Sequence, residues 1–453
     1  MKRIIDHFLL QWKLDHLRKS LLLRGARQVG KTYSVRKLGA TYPDFVEINF
    51  ELRTDAHIIF EKNLDPDRIL RELSLIARKP IIPGKTLLFL DEIQMVPKAI
   101  TALRYFYEML PELHVIAAGS LLDFAIEQIG IPVGRIQSLY MHPVSFIEYL
   151  AASGEGLIVD EIMNHSIEQE IGGAVHNRIL GLLGEYLALG GMPHSLQEWI
   201  EKKNPLDCAK IHRTLLNTYR QDFGKYARKL QVKYVELIFD QVPLQMGRKF
   251  KYSSVEGDYR KRELAPALDL LVTSGIAHKI FYTAGQGIPL GAQVDVQDYR
   301  AILLDVGLAQ AELSLDLAGW FLNPLQEFIN KGALVEAFVG QEMLAYDQPH
   351  SKNTLYYWHK ESTAQQAEID YLLQLKGEVI PVEVKAGLGR TIKSLQYFLE
   401  KHQKSSYGIR FSAQNYSVYE RVYSYPLYAI AHVLGNENMD IRQAIQQLLR
   451  TQV

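Results

Sequence analysis

Three parts of the sequence carry residue types at spacings that can do chemistry. The first is GARQVGKT, residues 25–32, which fits G-x-x-x-x-G-K-[ST] and stands between an apolar run, SLLLRG, and a helical one, KTYSVRKLG. Gly25 and Gly30, with Ala26, Arg27, Gln28 and Val29 between them, make a loop whose backbone N–H groups can wrap phosphates. Lys31 then reaches the β- and γ-phosphates of ATP, and Thr32 holds Mg²⁺. Downstream, TLLFLDE reads as an apolar strand that delivers Asp91 to the same magnesium, with Glu92 beside it to polarise the attacking water. An Asp–Glu pair alone would be a solvated strand end; at this distance from a phosphate loop it completes a nucleotide site. Ser120, at the tip of HVIAAGS, is expected at the γ-phosphate or the water, against the plainer role of a turn serine. Arg135, in IPVGRIQSL, is expected either to neutralise transition-state charge, from the same or a neighbouring subunit, or to form a surface salt bridge.

The second part is AEIDYLLQLKGEVIPVEVKAG, residues 367–387. If Lys376–Gly377 is a two-residue turn, which Gly377 favours because such turns need positive φ, Leu375 opposes Glu378 and Asp370 falls opposite Glu383. The other face, Ile369–Val384, Tyr371–Val382 and Leu373–Ile380, is then wholly apolar, and a one-residue slip would exchange the faces. Opposed carboxylates about 5 Å apart repel unless something positive lies between them. Mg²⁺ would remove that repulsion, and Lys385 on the same face would orient a water or hold a phosphate. The plainer alternative is a solvated strand face, since E-x-K at alternating positions also arises by chance.

The third part is basic. Residues 209–234 set seven Lys or Arg against one acid, Asp222, and residues 248–262 set six against two. Such clusters supply salt-dependent phosphate contacts to DNA, or simply form a solvated helix face.

Behind these residues, uniformly apolar strands alternate with amphipathic helices from residue 20 to about 120, as in a parallel sheet covered on both faces. Residues 151–200 read as helical and close at LGGMP; from about 205 to 310 helices are followed by a Gly275-terminated helix and short strands, an order that suits a winged helix. A helix, GALVEAFVGQEMLAY, three strand-like runs and another helix complete the chain. Tyr356–Tyr357–Trp358 fits a core-packing strand better than a base-stacking platform, and the fourteen histidines show no paired metal spacing.

A chain of 453 residues exceeds one compact core, and two to four domains are expected. With 51 Lys+Arg and 51 Asp+Glu, no net field draws it to nucleic acid or to an anionic membrane. Cys208 is the single cysteine, which excludes an intrachain disulfide and a thiolate zinc cage. No apolar run approaches a membrane span, and the N-terminus interrupts its apolar positions with Asp6, His7, Lys13 and Asp15, as an amphipathic helix does and a signal peptide does not. A cytoplasmic location is expected.

RGARQVGKT, LLFLDEIQ, AAGS, GR, PVSFIEYL, GGMP and DFGKYA together resemble the AAA-type ATPases that carry a restriction-endonuclease-like C-terminal domain of uncharacterised function. The resemblance spans essentially the whole chain. It implies an α/β architecture: a P-loop NTPase core with parallel sheet and helical lid at 1–200, a winged helix at 201–314 and a restriction-endonuclease-like α/β domain at 315–453. The hairpin then resembles a PD-(D/E)xK nuclease site, with Asp370 as first acid and Glu383-Val384-Lys385 as the E-x-K element. Glu336 matches the glutamate often added to the metal ligands Asp370 and Glu383, and Gln396 is a weaker match. No proline precedes Asp370, a departure from the family name. The expected function is a Mg-dependent ATPase that gates a nuclease-like domain acting on DNA. The alternative is an ATP-dependent switch whose nuclease-like domain is silent and binds a protein partner or DNA. The oligomeric state stays open.

Overall fold

The computed structural model describes residues 1–120, 122, 126, 134–226, 229–360, 367–387 and 392–450, without the side chains of residues 226, 229 and 230. They form two compact units: Lys2–His142 with Gln348–Lys352, and Pro143–Asp347 with Asn353–Val453 and Met1.

The first unit holds a five-stranded sheet: β1 Ser20–Arg24, β2 Asp44–Asn49, β3 Thr86–Asp91, β4 His114–Ala118 and β5 Ile136–Tyr140. All neighbours are parallel and the order is β2-β3-β4-β1-β5. Every residue of β3 and β4 is buried, which explains their unbroken apolar text: helices cover both faces. The expected N-terminal helix runs Ile4–Leu14 and buries Ile4, Ile5, Phe8, Leu9 and Trp12, one apolar stripe at helical spacing. Since β1 lies between β4 and β5 while β2 and β3 lie beyond β4, the connections reverse direction at β1, and the carboxyl end of β1 opens onto a switch-point crevice. β5 was not anticipated from the sequence.

The second unit begins with helices at Phe146–Ala152, Gly156–Asn164, Gly173–Leu189, Pro193–Lys202, Pro205–Tyr226, Lys229–Leu244 and Lys261–Thr273. Eight strands follow: β6 Ala277–Thr283, β7 Val294–Leu303, β8 Leu355–His359, β9 Glu368–Leu375, β10 Glu378–Lys385, β11 Gly408–Ser412, β12 Ser417–Tyr419 and β13 Val422–Pro426. They make one sheet in the order β12-β13-β11-β10-β9-β8-β6-β7.

Two expectations change here. Helices 143–200 pack into the second unit, so the sheet-bearing unit closes at His142 and not near residue 200. The expected domains 201–314 and 315–453 also share a single sheet, because β6 pairs in parallel with β8 through Ile280↔Leu355, Phe281↔Tyr356 and Tyr282↔Tyr357. The helix Lys261–Thr273 and the β6–β7 hairpin occur in winged-helix order, but the hairpin is the sheet's edge pair and not a free wing.

The β9–β10 hairpin has the expected register. Leu375 pairs with Glu378, Leu373 with Ile380 and Tyr371 with Val382, and both turn residues have positive φ, Lys376 at 49° and Gly377 at 79°.

Candidate functional site

The loop between β1 and the helix Lys31–Gly39 is built from unusual backbone. Gly25 has φ 142°, Gln28 φ 65° and Gly30 φ 104°. A Cβ on Gly25 would lie 2.3 Å from the Met141 carbonyl oxygen, so glycine is demanded by both conformation and space. Arg3 braces the loop from outside, donating from Nη1 to the Val29 carbonyl at 2.9 Å and from Nη2 to the His142 carbonyl at 2.8 Å. The first-turn N–H groups of the helix Lys31–Gly39 have no intrahelical acceptor and face the loop. Lys31 is buried, and its Nζ donates to the carbonyls of Gly25 and Ala26 at 2.8 Å each. Burial lowers its pKa to about 8, against the raising effect of Glu92 and Asp91.

Thr32 Oγ1 lies 3.1 Å from Asp91 Oδ2. The pairing is a matter of register: β3 ends at Asp91, aligned with Ala118 of β4, which is aligned with Leu23 of β1 just before the loop. Burial and the neighbouring Glu92 raise the Asp91 pKa. Glu92 has φ 52°, a left-handed residue that turns its carboxylate out of the strand direction, and Gln94 Nε2 holds that carboxylate at 2.5 Å. Ser120, two residues beyond Ala118, is buried at the same sheet edge. Asn49, at the end of β2 and aligned with Asp91, donates to Asp91 Oδ2 at 3.2 Å. Asn49 and Gln94 were missed in the sequence; the strand FVEIN ending at Asn49 was the available signal for the first. A triphosphate fits this cradle: a buried ammonium, helix-terminal N–H groups, and a hydroxyl paired with a carboxylate that would hold Mg²⁺.

Arg135 does not join this group within its own chain. β5 starts at Ile136 opposite Ser20, the amino end of β1, whereas the loop follows Arg24 at the other end. Five residues of strand separate the two ends by about 16 Å. Arg135 Nε instead pairs with Glu108 at 3.0 Å on the surface.

In the second unit, Asp370 and Glu383 occupy adjacent strands as expected, and Lys385 Nζ lies 2.6 Å from Glu383 Oε1. Asp370 Oδ2 accepts from the Val384 N–H at 2.7 Å. Glu336 comes to the same place from the helix Gly332–Ala345. The sequence offered no hint of what lies between them. Arg300, on β7 and 1% exposed, sets Nη1 at 2.5 Å from Glu336 Oε1 and 3.6 Å from Asp370 Oδ1, and its Nη2 pairs with Glu368. Its guanidinium also lies 4.6 Å from the centre of the Tyr357 ring. Burial raises the pKa of Glu336 and of Asp370, with Arg300 working against it in both. Burial raises Glu383 as well, countered by Lys385.

The expected metal set of Glu336, Asp370 and Glu383 therefore needs correction. Among the described residues no group of three or more His, Cys, Asp and Glu is placed to hold a metal ion. Positive charge is supplied to these carboxylates by the chain itself, by Arg300 at Glu336 and Asp370 and by Lys385 at Glu383. Gln396, on the helix Lys393–Lys401, lines a hollow with Arg410.

The basic segments are partly neutralised. Lys210 pairs with Asp207, Arg220 with Asp240 and Glu312, Lys225 with Asp222 and Lys249 with Asp298. Arg213, Lys251, Arg260 and Arg262 are exposed. Arg228 lies outside the described residues.

Residues 17–150 match a family described as an AAA domain, residues 180–318 a domain of unknown function (DUF8612), and residues 331–430 another (DUF4143). The first unit's parallel sheet and phosphate loop lie within the residues that match the AAA domain, and the match supports an AAA-type P-loop ATPase fold with ATP binding and hydrolysis. The boundary between the other two matches falls near the expected division at 314, although the sheet crosses it. No curated protein matches. Among solved structures, a Walker-type ATPase of Pyrococcus abyssi is 15% identical, with 69% of this chain and 95% of that one covered and a TM-score of 0.43. The Hsp104–ADP complex of S. cerevisiae is 14% identical over 60% of this chain and 37% of that one, with a TM-score of 0.27. A STAND protein with a tetratricopeptide repeat sensor from Pyrococcus horikoshii is 10% identical over 74% and 47%, with a TM-score of 0.25. At these scores the likenesses carry no inference about activity. No helix among the described residues is long and apolar enough to cross a membrane.

Proposed function

We propose that the protein is a Mg-dependent ATPase that works as a switch, with a nuclease-like cluster in its C-terminal unit that is catalytically silent. The observation that carries the ATP half is the 3.1 Å approach of Thr32 to Asp91 beneath the phosphate loop. Lys31 would move from the loop carbonyls to the phosphates, Thr32 and Asp91 would hold Mg²⁺, and Glu92, set by Gln94, would accept the proton of the attacking water. Magnesium supplies charge neutralisation on the phosphates. The silence of the C-terminal cluster is supported by Arg300, whose guanidinium faces Glu336 and Asp370, and by Lys385, whose ammonium holds Glu383. Purified protein should hydrolyse ATP in Mg²⁺ and lose turnover on Lys31→Ala; unchanged turnover would remove the nucleotide assignment.

A second reading, DNA cleavage gated by ATP, is favoured by one detail: Glu383 Oε2 is buried and accepts no hydrogen bond from the described residues. Linear, nicked and branched DNA incubated in Mg²⁺ or Mn²⁺ decides between the two. Cutting that Asp370→Ala and Lys385→Ala both abolish would replace the switch by a nuclease. The switch's partner is proposed to be DNA, held by the exposed Arg213, Lys251, Arg260 and Arg262. Such binding should weaken steeply with salt, and a flat response would leave a protein partner.

A further inference from the structure

The peptide between Val29 and Gly30 lies in the phosphate loop with its carbonyl held from one side. Arg3, 6% exposed, donates from Nη1 to the Val29 oxygen at 2.9 Å. This peptide is trans, and a planar trans peptide carries its C=O and N–H on opposite sides. Fixing the Val29 carbonyl on Arg3 therefore turns the Gly30 N–H away from the arginine. That N–H has no acceptor among the described residues. Gly30 is the N-cap of the helix Lys31–Gly39, so its N–H extends the row of first-turn donors at the helix end where an anion binds.

A single hydrogen bond would hold the peptide loosely, and Arg3 makes a second. Its Nη2 donates to the His142 carbonyl at 2.8 Å, so the planar fork cannot turn from one carbonyl without leaving the other. The backbone of Arg3 is fixed in turn: its N–H donates to Asp6 Oδ2 at 3.0 Å, and its carbonyl accepts from the Asp6 N–H at 3.1 Å. Asp6 pairs with Lys37 at 2.6 Å, in the last turn of the helix that the loop leads into. Loop, following helix and arginine thus close a ring, anchored by the buried stripe of the helix Ile4–Leu14.

We infer that Arg3 is a positioning residue for ATP: it aims the Gly30 N–H at the phosphates before they arrive, and acts through the loop peptide instead of touching the nucleotide. The inference rests on the ATPase reading above. Loop N–H groups cradle the α- and β-phosphates, which ATP and ADP share. Arg3 therefore serves substrate and product binding alike and leaves the chemical step largely alone.

The test compares the full chain as wild type, Arg3→Met, Arg3→Lys and Trp12→Phe, by calorimetric titration of ATP and ADP in Mg²⁺, steady-state hydrolysis and thermal melting. Arg3→Met should raise the Kd of both nucleotides and the KM for ATP by about tenfold, the effect of one hydrogen bond to a charged group, while kcat stays within about threefold. Arg3→Lys keeps the charge without the fork and should weaken both nucleotides severalfold. Trp12 donates to the Lys19 carbonyl at 2.8 Å near the far end of the same helix, so Trp12→Phe should lower the melting temperature and leave nucleotide affinity within about twofold. If Arg3→Met shows no cooperative melting transition, Arg3→Lys carries the test. Wild-type affinity in the Arg3 variants, or a loss in Trp12→Phe as large as in Arg3→Met, would overturn the role of Arg3 while wild-type turnover keeps the ATPase reading. A wild-type chain that neither binds nor hydrolyses ATP would overturn both.

Discussion

Arg300 Nη1 and Glu336 Oε1 stand 2.5 Å apart with the arginine almost wholly buried, joining β7 to the helix Gly332–Ala345. Removing one member of such a pair strands the other, which typically costs about 3–5 kcal/mol. Arg300→Met should therefore destabilise the C-terminal unit by about 3 kcal/mol in urea unfolding at pH 7.5. The double variant Arg300→Met/Glu336→Gln should recover part of that loss, because one of the stranded charges is gone. Equal stability of wild type and Arg300→Met would show the guanidinium to be dispensable.

The residues around Asp91 should separate binding from turnover. Glu92→Gln should keep ATP affinity within severalfold while lowering turnover at least about 10²-fold, the lower end of what a general base contributes. Asn49→Ala removes a donor to Asp91 Oδ2 and should lower turnover about tenfold through misplacement of that carboxylate. Steady-state hydrolysis and nucleotide titration on the same preparations check both.

ATP binding should depend on pH through Lys31. In the free protein its pKa is lowered to about 8, and the phosphates call for the charged ammonium. Below pH 8 the charge is already present; above it, binding must take up a proton. Affinity should thus be flat from pH 6.5 to 7.5 and fall by up to about tenfold per unit above pH 8. A titration series at constant ionic strength, with Lys31→Arg as the comparison that stays charged, reads this directly.

A second pH effect concerns stability. The Glu342 carboxylate is buried beneath the helix Phe146–Ala152, where it accepts from the Phe146 N–H at 3.0 Å. Burial raises its pKa from 4.5 to about 8. The folded state therefore holds a proton that the unfolded state releases above pH 4.5. Its contribution is fully present below that pH and is lost as pH rises towards 8, at a slope of up to about 1.4 kcal/mol per unit. Glu342→Gln keeps an acceptor and removes the titration, so the variant should show a shallower decline between pH 5 and 8 in denaturant unfolding.

Much of this molecule was legible before any coordinates. The phosphate loop could be read because its chemistry is local: two glycines, a lysine and a threonine within eight residues, set between an apolar strand and a helix. The β9–β10 register was legible for a similar reason, since a two-residue turn and a period of two leave one pairing that buries the apolar face. The amphipathic N-terminal helix followed from spacing alone.

What the sequence could not determine depends on residues far apart in the chain. Arg300 lies 36 residues from Glu336 and 68 from Glu368 along the chain, and no periodicity links a β7 arginine to a hairpin carboxylate. Only the pairing of β6 with β8, which fuses two apparent domains into one sheet, brings it there. Arg135 fails to reach its expected site for the same kind of reason: nothing local says at which end of β1 the strand after it begins. Local chemistry and local register are written in consecutive residues, whereas strand order and the charge at the centre of a cluster are decided by packing across the whole unit.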